Sequence, residues 1–326
     1  MVQIDKSTLI AIVGPTASGK TGLAIKIAES ISAGVSGDLL GAGFSGASRD
    51  LLGAEIINAD SYSLYKYMDI GTAKPSIAER GAVPHHQIDV LEPTEIANVA
   101  VYQKKARADI KAIFDRGNIP ILVGGSSLYI RAVLDEVDFP PVDLEVRGQL
   151  EQIASDGDYV DSNGELILSG TAALYSELSA LDPESAANIL PTNTRRIIRA
   201  LEVVRITGKP FKSNFAPQTY HNINTVQYMP DISYDRDELD KRIRIRTDSM
   251  RELGLTEEVS SLYERDLLGV TASKAIGYAE LIKHFDSPLT YTLDQAYEDI
   301  FIHTRRLVRK QLAWFLKDPR IKTISD

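Results

Sequence analysis

Eight residues, "GPTASGKT" (14–21), constrain this chain more than any other stretch. They fit the pattern G-x-x-x-x-G-K-[ST], with Gly14, Gly19, Lys20 and Thr21 in the fixed places. The apolar, β-branched run "STLIAIV" (7–13) leads into them, and Leu23, Ala24, Ile27 and Ala28 come after at helical spacing. Strand, loop and helix in that order is the setting in which this motif holds a phosphate. Glycine at both ends lets the backbone turn its N–H groups inward, where side chains would block an anion. The helix start adds unpaired N–H groups and a partial positive charge. Lys20 brings a full charge, and Thr21 an oxygen suited to Mg²⁺. The loop therefore predicts a bound phosphate or pyrophosphate without saying whose, and ATP is the default owner.

Beyond the loop the chain reads as βαβ units. Strand and helix signals alternate through 8–30, 53–70 and 96–134, which predicts an α/β fold built on a parallel sheet flanked by helices. "AEIINAD" (54–60) and "IPILVGG" (119–125) read as buried strands, with "VAVYQKKARADIKAIFDRG" (99–117) as the helix between them, closed by Gly117. Ligands of such sheets gather at the carboxyl ends of the strands. That rule brings Asp60, Gly124 and Gly125 to the edge that carries the phosphate loop. From about 140 to 214 the periodicity turns helical, in "AALYSELSALDPESAANI" and "NTRRIIRALEVVRITG", and reads as a helical domain inserted into a core made of 1–139 and 215–326. The Gly-, Ser- and Ala-rich stretch 32–53 reads as a surface insertion or long loop.

Composition excludes several classes. The 326 residues hold no cysteine, so disulfides and thiolate metal sites are ruled out. No apolar run is long enough for a membrane span and no basic-then-apolar leader opens the chain, so a cytoplasmic protein is expected, without membrane partners. The net charge of −9 argues against a polyanion partner, but its distribution argues otherwise. Basic residues concentrate in "RRIIRALEVVRITGKPFK" (195–212), "KRIRIR" (241–246) and "RRLVRKQLAWFLKDPRIK" (305–322). Such stretches either line one face for a polyanion or are ordinary solvated helix surface.

Asp60, at a strand end, reads either as a catalytic carboxylate or metal ligand, or as a cap with Ser61. The adjacent His85 and His86 in "PHHQIDV" lack further ligands at metal spacing, which favours structural hydrogen bonding.

Taken together, the stretches resemble one family, the tRNA dimethylallyltransferases (isopentenyltransferases), whose fold is similar to P-loop nucleotide kinases. The matches run in order: "GPTASGKT", "EIINADS" with "MDIGTAKP", "VPHHQID", "ILVGGSSLY", "DPESAANI", "RRIIRALEV" with "TGKP", "RIRIRTDSM", "KAIGY" and "TRRLVRKQLAWF". The resemblance implies that Gly14, Pro15, Thr16, Ala17, Ser18, Gly19, Lys20 and Thr21 hold the pyrophosphate of dimethylallyl diphosphate, and that ATP is not consumed. It implies transfer of the prenyl group to the N6 amine of the adenine just 3′ of the anticodon. An exocyclic amine is a weak nucleophile and needs a proton acceptor and a neutralised leaving group. Asp60 is then the general base; Lys20 and a Thr21-bound Mg²⁺ receive the pyrophosphate, assisted by Arg246 or Arg242, which lie i,i+4 on one helical face.

The resemblance also implies tRNA contacts. These are Asp60, Ser61, Tyr62 and Ser63 around the base; Ser126, where the family usually has Thr; Arg147; Arg195, Arg196, Ile197, Ile198 and Arg199; and Lys274, Gly277 and Tyr278. Ser63 and Ser127 depart from the family's Gln and Gly. The expected partners are a tRNA anticodon stem-loop and dimethylallyl diphosphate, acting on a monomer. Three other readings compete: a P-loop small-molecule kinase, an adenylate isopentenyltransferase making a free prenylated nucleotide, and an RNA-binding module with a degenerate loop.

Overall fold

A computed structural model describes residues 2–3, 7–34, 44–45, 53–156, 159–160, 166–167, 170–211, 224–231 and 236–324. Most of the 32–53 stretch read as an insertion lies outside the described residues. The chain divides into two compact units, one of residues 1–136 with 219–326 and one of residues 137–218.

The first unit is built on six parallel strands: β1 (Thr8–Val13), β2 (Ala54–Asn58), β3 (His85–His86), β4 (Ile119–Gly124), β5 (Asn224–Pro230) and β6 (Ile321–Ile324). Their order across the sheet is β6-β5-β1-β4-β2-β3. β1, β2 and β4 are buried along their whole length, as expected of parallel strands covered on both faces. Alternate residues serve opposite faces. Ile10, Ile12, Ile56 and Ile121 pack beneath Leu23, Ala24, Ile27 and Ile31 of α1 (Lys20–Ser32). Leu9, Ala11, Ile57 and Leu122 pack against Tyr102, Ala106 and Ile110 of α2 (Val99–Asp115) and Ile130 and Val133 of α3 (Ser127–Leu134). Cutting a fully buried side chain such as Ile27 back to alanine in such a layer costs about 2–5 kcal/mol.

Register then decides where the loops meet. Val13 pairs with Gly124, and Asn58 with Val123, so β1, β4 and β2 end level with one another. The phosphate loop, the Gly124–Gly125 turn and Asp60 therefore leave the sheet side by side. α2 ends as its sequence predicts, with Gly117 at φ 77 just beyond the cap.

The second unit is helical: α4 (Leu144–Ser155), α5 (Gly170–Leu181), a short helix at Pro183–Ala187, and α6 (Thr194–Thr207). Leu150, Leu174, Leu178, Ile197, Ile198 and Leu201 form its core. It also carries a small antiparallel pairing of 159–160 with 166–167. After β5 the first unit closes with α7 (Arg236–Glu252), α8 (Leu255–Glu264), α9 (Tyr278–Asp286) and α10 (Leu293–Phe315). Among the described residues, no helix is long and apolar enough to cross a membrane.

Candidate active site

The phosphate loop spans the end of β1 and the start of α1. Gly19 sits at φ 80, a conformation open to glycine that lets the chain turn directly into the helix. The Lys20 ammonium reaches back to the Pro15 carbonyl at 3.2 Å. Enclosure of that ammonium lowers its pKa to about 8, with Asp60 opposing the shift and Arg246 adding to it. An amine so placed lacks a full counter-charge, which an incoming diphosphate would supply.

Asp60 is fixed by the strand that precedes it. Asn58 Nδ2 donates to the carbonyls of Asp60 and Gln87, each at 2.9 Å, and Asn58 Oδ1 accepts from the Asp60 amide at 3.1 Å. Asp60 Oδ1 accepts from the Tyr62 amide at 3.1 Å. One carboxylate oxygen therefore serves as a cap, and Oδ2 receives no hydrogen bond from the described residues. The cap reading of this residue is seen directly, and the second carboxylate oxygen is left over for other chemistry.

Lys20, Thr21, Asp60 and Arg246 line one cavity, with Thr16, Asn58 and Ser63 on its polar walls and Ala24, Ile56, Ala73, Pro75, Ile88 and Val123 on its apolar ones. Its volume is about 80 Å³. A larger cavity, about 1060 Å³, shares Lys20, Thr21, Ala73, Pro75 and Arg246 with the first. Pro15 faces neither lining; Thr16 lines the first cavity, and Ala17, Ser18 and Gly19 the second. The Ser18 hydroxyl is buried with no hydrogen-bond partner among the described residues, and Gly14 leaves only 3.1 Å between a would-be β carbon and that hydroxyl. On the sheet side, a β carbon at Gly124 would lie 2.3 Å from the Ala59 carbonyl oxygen, so β4 and β2 touch there through bare backbone.

The two candidate arginines of "RIRIR" part company. Arg246 is enclosed at the cavity, where burial lowers its pKa and Asp60 opposes that. Arg242 instead pairs with Glu238 at 3.3 Å on the exposed side of α7, and lines neither cavity.

The expected base-contact residues fall around the same rim. Ser126 Oγ accepts from the Ser61 amide at 3.4 Å, Tyr62 is partly exposed, and Ser63 is buried against the cavity. Lys274 is exposed, and Gly277, at φ 99, donates its amide to Glu280 at 2.7 Å. Tyr278 is fully buried and donates its hydroxyl to Glu258, so its side chain offers no surface to a nucleic acid. In the helical unit, Arg195 and Arg196 are exposed and form no ion pair among the described residues. Ile197 and Ile198 are core residues, buried by the same amphipathic pattern that exposes their neighbours, and correct the expectation of contacts along the whole 195–199 run. Arg147 and Arg199 both pair with the buried Glu202, at 2.6 and 2.7 Å.

Both histidines make the hydrogen bonds expected of them, and His85 also lines the first cavity. His85 Nδ1 lies 2.8 Å from the Val83 carbonyl, and His86 Nε2 lies 2.6 Å from Glu55. Sequence reasoning misses Asn58, which steers Asp60, and the Thr72–Pro75 wall. "MDIGTAKP" carries the signal for that wall, and only through the resemblance. It also misses Glu258, which accepts from the amides of Asp69, Ile70 and Gly71 at 2.8, 2.8 and 3.1 Å and so anchors the segment leading to that wall.

With this geometry in place, comparison with known proteins decides the family: the IPP transferase family matches residues 63–318. The chain belongs to the IPP transferase family. A relative from Rhodococcus jostii (strain RHA1), called a tRNA dimethylallyltransferase, is 45% identical over 317 residues, covering 97% of this chain and 91% of its own length. The crystal structure of a Bacillus halodurans tRNA isopentenylpyrophosphate transferase is 34% identical, with a TM-score of 0.63, covering 98% of this chain and 90% of that one. A eukaryotic dimethylallyltransferase caught acting on tRNA shares the IPP transferase fold at 23% identity and a TM-score of 0.73, over 98% of this chain and 74% of its own.

Proposed function

We propose that this chain transfers the dimethylallyl group of dimethylallyl diphosphate to the N6 amine of the adenine 3′ of the anticodon in tRNA, releasing diphosphate. One observation carries the reading: a lone strand-end carboxylate, Asp60, shares a cavity with the phosphate loop's Lys20 and Thr21 and with Arg246.

The loop amides, Lys20 and Arg246 bind the diphosphate and neutralise the charge that develops as the allylic C–O bond breaks. The apolar walls at Ala24, Ile56, Ile88 and Val123 surround the five-carbon group and keep water from the allylic carbon. The adenine N6 forms the new N–C bond, and its proton passes to the free Oδ2 of Asp60. Because a stacked adenine cannot reach an enclosed carbon, the base must leave the anticodon stack, which RNA loops allow cheaply.

Mg²⁺ fits this donor set. Thr21 lines the cavity beside the loop, and the described residues hold no cluster of three or more His, Asp or Glu that would cage a metal alone. Thr21 would hold the ion together with diphosphate oxygens, the sparse protein coordination that Mg²⁺ accepts. When bound, Mg²⁺ would supply further neutralisation of the leaving group. Exposed Arg195, Arg196 and Lys274 are among the cations available to RNA phosphates. The reading places the protein with its tRNA substrate in the cytoplasm, acting as a monomer.

The test incubates the chain with radiolabelled dimethylallyl diphosphate, Mg²⁺ and either an anticodon stem-loop, AMP or no acceptor. Label in the stem-loop is expected, with none in AMP. Label in AMP alone would overturn the tRNA assignment, and ATP turnover without prenyl transfer would favour a kinase.

A further inference from the structure

Gln311 lies buried in the last turns of α10, inside a basic stretch whose charges suit a polyanion. Its side chain instead faces the site. Gln311 Oε1 accepts from the Thr16 amide of the phosphate loop at 2.9 Å, and Gln311 Nε2 donates to the Gly125 carbonyl at 3.0 Å. Gly125 precedes Ser126, whose hydroxyl accepts from the Ser61 amide next to Asp60. One planar amide thus bridges the two halves of the cavity rim: the loop that holds the diphosphate and the turn that neighbours the carboxylate.

The fit is tight and needs both ends of the amide. A β carbon at Gly125 would lie 2.7 Å from Gln311 Nε2 and 3.0 Å from the Gly14 carbonyl oxygen, so only glycine lets the amide approach. An ionised glutamate accepts but cannot donate, leucine does neither, and asparagine is a methylene short.

We propose that Gln311 is a positioning residue, which sets the spacing between the diphosphate-bearing carbon and the attacking amine. The inference rests on the transferase reading above. Displacement between two bound substrates depends on a near-attack separation of their reacting atoms, and a 1 Å error costs about 100-fold. Each substrate keeps its own contacts when the bridge is cut. The loss should therefore fall on turnover and spare both affinities.

Gln311→Leu and Gln311→Glu test this, with kcat normalised to the folded fraction measured by circular dichroism. For Gln311→Leu, kcat should fall about 10- to 100-fold while KM for dimethylallyl diphosphate and for the anticodon stem-loop moves by less than about threefold. For Gln311→Glu, the carboxylate repels the Gly125 carbonyl but its protonated form can both donate and accept. The ratio of its kcat to that of the wild type should therefore climb as pH falls from about 8 to 6, because burial raises a carboxyl pKa. A kcat within about twofold of wild type in Gln311→Leu, a loss carried wholly by KM, or a flat pH ratio in Gln311→Glu would overturn the proposal. Failure of the wild type to prenylate the stem-loop would sink the transferase reading itself, which separates the two outcomes.

Discussion

Two arginine runs, "RRIIR" at 195–199 and "RIRIR" at 242–246, look interchangeable in the sequence and fold into different surroundings. In α6 the isoleucines go inward to Leu150 and Leu201, Arg199 is tied to buried Glu202, and Arg195 and Arg196 stand free in solvent. In α7 Ile243 is buried while Ile245 is exposed; Arg242 pairs with Glu238, and Arg244 pairs with Glu298 over the Phe301 ring. Only Arg246 turns into the cavity. The difference teaches that a charge run says little by itself. What each cation does depends on the carboxylate within reach and on how much water is left around it.

The sharpest way to break the comparison is to truncate matched arginines within α7. Arg246→Ala should lower kcat by about 100- to 1000-fold, the scale of losing one donor to a developing anion. Arg242→Ala should leave kcat within about twofold, since its partner is a surface carboxylate. Equal losses in steady-state assays would mean that enclosure does not distinguish the two.

In α6 the comparable effect is on stability. Glu202 is wholly buried and accepts from Arg147, Arg199 and the Asp143 amide. Glu202→Ala should cost about 2–3 kcal/mol, less than a fully buried pair because the arginines keep some solvent. A denaturant midpoint unmoved by the change would show the network to be ornamental. Burial pushes the Glu202 pKa up, but the hydrogen bonds from Arg147 and Arg199 outweigh it and hold the pKa below the usual carboxylate value. Its stabilisation is therefore complete above the unfolded-state pKa, near 4.5, and fades as pH falls through the lower folded value.

A titration sharpens the contrast at the cradle. With the Lys20 pKa near 8 in the free protein, kcat/KM for the diphosphate should decline above about pH 8, by up to about tenfold per unit. A profile level to pH 10 would place the lysine's charge outside donor binding. The smallest effect belongs to the free cations of α6. Arg195→Ala should raise KM for the stem-loop by a few-fold at low salt, about 1 kcal/mol or less, and reduce the salt slope by about one. An unchanged slope would remove that residue from the RNA face.

How much of this was legible depends on how local each signal is. The phosphate loop, β1, β2, β4 and α2 read directly, because anion cradles demand fixed spacing and fully buried parallel strands are continuous apolar runs. Asp60 reads as a candidate from its place at a strand end. β3, β5 and β6 do not: His85–His86 is two partly buried polar residues, "NTVQYMP" mixes polar and apolar positions and ends in proline, and "IKTI" lies beside a basic helix. Gln311 carries no local mark, since one glutamine in an amphipathic helix resembles any other, and its two partners stand 295 and 186 residues away. Arg246 and Arg242 share one predicted face, and only tertiary packing separates them.

At Gly124 the backbone of β4 rests on the Ala59 carbonyl with no room for even a methyl group. Redesign for bulkier or longer isoprenoid donors therefore has a rigid side and a compliant one. Space can be carved from the Thr72–Pro75 wall, where Ala73 is solvent-exposed, but the strand seam opposite leaves a protein engineer nothing to trim.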